Sequence, residues 1–138
     1  MSDSGESASQ QNLPVSAAII ALLVLTSVML LALFSRTAPH PPLEVPPFAL
    51  GPFLGASLAI GAAAFHLVRQ SARYGSTLAL LFALTALVSF GPQKYFDPAF
   101  SRIWPTVITA QIAVIVIVAW CIVTLRRGRP TSKEQTLE

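Results

Sequence analysis

The chain has 138 residues, of which 54% are apolar and only 11% charged, with a mean hydropathy of +0.66. That balance is too apolar and too charge-poor for a water-soluble domain of this length. The net charge of +3 sits at the ends of apolar segments with no basic stripe, which argues against nucleic acid as a partner, and the single cysteine, Cys121, excludes an intrachain disulfide or a cysteine metal cluster.

Residues 1–14 are polar and read as a tail without fixed structure. From Val15 to Phe34 there is no charge, and a helix of that length, at about 1.5 Å per residue, crosses a hydrocarbon core of roughly 30 Å. A cleaved signal peptide would open on basic residues, whereas Asp3 and Glu6 precede this run without a Lys or Arg, so the segment is read as a retained span. Pro39, Pro41, Pro42, Pro46 and Pro47 follow, around His40 and Glu44, and their fixed φ angles predict a stiff, non-helical connector.

The second span, residues 48–68, is crowded with small side chains. Gly51, Gly55, Ala59 and Ala63 recur every fourth residue, with Ser57 and Gly61 on a neighbouring row. Lipid tails are as apolar as leucine, so helices associate in a bilayer through close packing, which small residues allow. These six residues are the predicted helix-packing positions, and span two is expected to be the central packing helix.

Span three, residues 74–90, lies near the lower limit for crossing. A re-entrant segment there would leave three crossings and put the termini on opposite sides. The next stretch, Gly91 to Pro105, combines turn residues with four aromatic side chains and three charges. Gly91 and Pro92 can end span three, Asp97 can cap a new helix with Pro98 at its first position, and Pro105 either begins span four or kinks it. The expected picture is an interfacial turn with Tyr95, Phe96, Phe100 and Trp104 dipping inward and Lys94, Asp97 and Arg102 facing water or lipid phosphate. Such a turn anchors the chain, and the same residues are candidate contacts for a partner subunit.

Span four, residues 103–125, ends against Arg126 and Arg127, and residues 128–138 read as a second polar tail. Four crossings put Arg69, Arg73, Arg126, Arg127, Arg129 and Lys133 on the side of the termini, six against the three at Arg36, Lys94 and Arg102. Basic residues are enriched in cytoplasmic loops, so both termini are expected in the cytoplasm, in a bacterial inner membrane. The fold class is therefore an all-α membrane bundle of four transmembrane helices with short loops.

Little in the spans carries chemistry. A proton-coupled exporter needs a carboxylate within the membrane, whereas Glu44 and Asp97 both fall in loops. His40 and His66 belong to opposite ends and cannot clamp one haem, and His66 one turn before Arg69 suits a headgroup-facing pair. No phosphate loop, dinucleotide fingerprint or zinc motif occurs. Ser57, Thr85, Ser89, Thr106, Thr109 and Gln111 are polar residues within spans, and hydrogen bonding to backbone or across helices accounts for them. Gln111 is the strongest, because a glutamine in hydrocarbon must find a partner on a neighbouring span or another protein.

The function that follows is a small non-catalytic membrane protein, an accessory, assembly or stabilising subunit packed against other membrane subunits or itself, with the lipid bilayer as its other partner and no cofactor. The alternative is a small oligomeric transporter or channel subunit with the second outer loop as its mouth. A haem- or quinone-binding redox component is the third reading.

Overall fold

The structure, a computed structural model, describes residues 3–36 and 47–127, with side chains described at 10, 12–36 and 48–126. Helix α1 spans Asp3–Ser35, α2 Pro47–Arg69, α3 Gly75–Phe90 and α4 Phe100–Arg127, with a 3₁₀ turn at Pro92–Phe96 between α3 and α4. All four helices are long and apolar enough to cross a membrane, α3 reaching that length together with the 3₁₀ turn that follows it. The connector residues Pro39, His40, Pro41, Pro42, Glu44 and Pro46 and the tail at 128–138 lie outside the described residues.

The helices form a ring. Each packs on its sequence neighbours, α4 closes against α1, and across the diagonals α1 touches α3 while α2 and α4 do not meet. One continuous core fills the middle, from Val15, Ile19 and Leu22 of α1, Ala64 and Val68 of α2, and Phe82 and Phe90 of α3 to Val114, Ile117 and Cys121 of α4. Cys121 is buried as a small side chain, its thiol directed at the Ser76 carbonyl at 3.4 Å. Ser57 and Thr85 donate back to their own helices, to the carbonyls of Phe53 and Phe82, each at 2.8 Å.

Span two is not the central helix. A larger share of α3 than of any other span is buried, and α3 presents Ala79, Ala83 and Ala86 to the interior. In α2 only Ser57 and Gly61 of the six predicted packing residues are buried, Gly51 is half-buried, and Gly55, Ala59 and Ala63 face outward. The physical reason is geometrical. All four segments are apolar all round, so neither residue type nor period says which face looks inward.

The helix boundaries also differ from expectation. α1 is helical from Asp3, through the stretch read as a tail and past Pro14. Extending an existing helix adds one bond per residue and avoids a new nucleus, so Glu, Ala and Gln continue it readily. Pro14 removes one donor, and Asn12 just before it fastens this end, its Nδ2 donating to the Val68 carbonyl at 3.1 Å and to Ser71 Oγ at 3.2 Å. α2 begins at Pro47, the last proline assigned to the connector, because the first turn of a helix needs no N–H from that position. At its other end Ser71 adopts a left-handed φ of 52°. Ala72 N–H then bonds Leu67 O at 2.9 Å and Ser71 N–H bonds Val68 O at 3.1 Å, the Schellman pairing that glycine usually permits. α4 begins at Phe100, ahead of the predicted residue 103, and runs through Pro105.

Candidate functional site

Two ends and one face of the bundle carry its polar and unusual residues. At the end where α3 meets α4, α3 stops at Phe90, Gly91 turns out into extended backbone with φ −72° and ψ −178°, and the 3₁₀ turn begins at Pro92. Gln93 folds back over the stop, its Nε2 donating to the carbonyls of Val88 at 2.8 Å and Leu87 at 3.2 Å. Those carbonyls belong to the last turn of a helix, where no backbone N–H follows to satisfy them. Gln93 is not among the expected site residues, although a side-chain donor directly after a Gly-Pro stop is a signal for it.

Asp97 starts the turn that leads into α4, whose first residue is Phe100 and not the expected Pro98. Asp97 Oδ1 accepts the Ala99 N–H at 2.9 Å and the Asp97 carbonyl accepts the Phe100 N–H at 2.9 Å, the arrangement expected of a capping carboxylate. The Ala99 N–H holds the Asp97 carboxyl below its ordinary range, partial desolvation opposes this, and Lys94 assists. Lys94 Nζ lies 3.4 Å from Asp97 Oδ2, with the two side chains 22% and 18% exposed. These two charges face each other, and both side chains remain partly exposed. Arg102 is exposed, as is Phe96 at 90% and Trp104 at 49%.

Tyr95 and Phe100 lean together, ring centroids 5.2 Å apart at 58°. The Tyr95 hydroxyl donates to Gln111 Oε1 at 2.6 Å, and Gln111 Nε2 donates to the Phe90 carbonyl at 3.3 Å. Gln111 thus ties the 3₁₀ turn and the end of α3 to α4 within one chain. Because Tyr95 is the amide's only side-chain partner among the described residues, Tyr95→Phe is expected to lower stability by about 1 kcal/mol, and Tyr95→Phe in a Gln111→Leu background by much less. Reversible unfolding in mixed micelles measures both, and equal losses in the two backgrounds would dissociate the pair.

At the opposite end, His66 and Gln70 are exposed and meet through their Nε2 atoms at 2.9 Å, which makes the imidazole the acceptor of the Gln70 amide. The Arg69 guanidinium lies 5.7 Å above the Phe65 ring. Among the described residues no group of three His, Cys, Asp or Glu side chains gathers at metal-binding distance.

The remaining feature is the outer face of α2. Gly55, Ala56, Ala59, Ala62 and Ala63 are all exposed, and between Phe48 and Tyr74 no large apolar side chain is. The other helices turn large residues outward, such as Val24, Val28 and Leu31 on α1, Leu84 and Val88 on α3, and Ile112 and Ile115 on α4. The predicted site residues thus divide into an end cap at 94–111, a buried pair at Ser57 and Gly61, an outward row at Gly55, Ala59 and Ala63, and the half-buried Gly51. No protein-family model, curated protein or solved structure matches this chain.

Proposed function

We propose that this protein is a small non-catalytic subunit that packs beside another membrane protein and stabilises it, with the outer face of α2 as the contact. The observation that supports this reading is the contrast between helix surfaces. Large branched side chains suit contact with fluid lipid, whereas Gly and Ala lining more than two turns let a second helix approach at backbone distance. The exposed Phe96 and Trp104 at the capped end offer a second contact at headgroup depth. Both termini are assigned to the cytoplasm on the six-to-three distribution of Lys and Arg, in a bacterial inner membrane.

The test is co-purification of the tagged full-length chain in mild detergent from its native membrane. A paired Gly55→Leu and Ala59→Leu substitution is expected to reduce the co-purifying membrane protein at least tenfold while leaving the helicity and yield of the chain itself unchanged, because neither side chain enters the bundle. A lone monomer from the unsubstituted chain, or an undiminished complex from the substituted one, overturns the proposal.

A further inference from the structure

A cleft of about 300 Å³ lies between α1 and α2 at the end opposite the aromatic cap, lined by Asn12, Leu13, Ser16, Ala17, Ile20, Phe65 and Arg69. Its lining is graded. The apolar spans of α1 and α2 begin at Asn12 and end at Arg69, and Asn12 bonds the Val68 carbonyl, so these two residues lie at one level of the bundle, at the end of its apolar length. From there α1 runs inward through Ser16 and Ala17 to Ile20, and α2 leads back from Arg69 to Phe65 one turn deeper. Both walls change in the same direction, from cation, amide and hydroxyl at the rim to aliphatic and aromatic surface below.

Arg69 is set up to receive an anion. Its guanidinium lies over the Phe65 ring at the rim of the cleft. A guanidinium carries its N–H donors in a planar fork that matches phosphate oxygens, and Ser16 adds a hydroxyl on the facing wall. Asn12 does not compete, since its Nδ2 is engaged by Val68 and Ser71. Ala17 leaves room on α1 between the larger Leu13 and Ile20, where a chain can lie along the groove.

We infer that this cleft binds one anionic phospholipid, its phosphodiester on Arg69 and Ser16 and one acyl chain along Ala17, Ile20 and Phe65. A free phosphate would use only the rim and leave the apolar floor uncovered. A bilayer lipid matches both halves and is present at that depth.

Native mass spectrometry of the full-length protein in dodecyl maltoside, titrated with phosphatidylglycerol, phosphatidylcholine or inorganic phosphate, tests the assignment. One phosphatidylglycerol per chain is expected, at least tenfold tighter than phosphatidylcholine, with inorganic phosphate failing to displace it. Arg69→Gln, which removes the charge, and Ala17→Leu, which fills the floor and keeps the charge, are each expected to weaken binding at least tenfold. Arg126→Gln, at the same end but away from the cleft, is expected to bind as the unsubstituted chain does. Circular dichroism confirms that each variant is helical before titration. Equal binding of the two lipids, displacement by inorganic phosphate, unchanged binding by Ala17→Leu, or an equal loss in Arg126→Gln overturns the inference.

Discussion

Gly61→Leu is expected to lower the stability of the bundle by about 3 kcal/mol, at the upper end for an overfilled core. Even a methyl group at this position meets Phe82 Cζ at 2.7 Å and Leu23 Cδ2 at 2.8 Å, inside any ordinary contact. The Phe82 ring is fully buried and cannot swing aside into lipid. Gly61 of α2, Phe82 of α3 and Leu23 of α1 therefore form one fitted contact, and the absent side chain of the first makes room for the second. Phe82→Ala should cost about 2–3 kcal/mol, less than the 3–5 typical of water-soluble cores, because lipid solvates an unfolded phenylalanine well and only the lost packing counts. The two positions should also couple. Gly61→Ala is destabilising alone, and in a Phe82→Leu background it should recover about 1 kcal/mol as the smaller side chain yields space. Reversible unfolding in dodecyl maltoside and SDS micelles gives these values. Strict additivity of Gly61→Ala and Phe82→Leu would mean that the contact is not tight.

The second large effect is expected at Gly91, where the constraint is backbone against backbone. A Cβ there runs into the Leu87 carbonyl oxygen and into Gln93 Oε1. The side-chain clash can be removed by Gln93→Ala, but the carbonyl belongs to the last turn of α3 and moves only if that turn unwinds. Gly91→Val is thus expected to lose about 2–3 kcal/mol and to free the 92–99 segment for proteolysis, and Gly91→Ala to remain destabilising in a Gln93→Ala background. Wild-type stability of that double variant would show that the α3 stop relaxes at little cost.

The sequence exposes the spans plainly and their faces hardly at all. Charge-free runs long enough to cross a bilayer locate α1, α2 and α4, and even the short third segment, because length and apolarity are local properties. Which side of α2 points inward is not local. Gly55 and Gly61 look alike in sequence, yet one is exposed and the other lies under Phe82. The capped end was partly legible, since Asp97-Pro98 is a recognisable helix opening, whereas the Tyr95 to Gln111 bond joins residues sixteen apart that only the turn brings together. Ser71 was hidden for a different reason: its left-handed conformation ends α2 where a glycine would have announced the stop. Asn12 sits in a polar stretch that reads as a tail, and its role depends on the Val68 carbonyl and Ser71 meeting it from α2.

The closure of α4 against α1 bears on how the protein is made. Helices enter the membrane in order from the ribosome, so α1, α2 and α3 can pair with their neighbours as they emerge, while the inward side of α1 waits for the fourth. Until then Val15, Ile19 and Leu22 face lipid or an insertion factor, and the protein is a three-sided open trough. Synthesis halted after α3 should accordingly yield a chain that inserts but is readily degraded, with quality control reading the unfilled flank. Release from that surveillance would coincide with the arrival of Ile117 and Cys121, which makes the last helix the latch of biogenesis as well as a wall of the bundle.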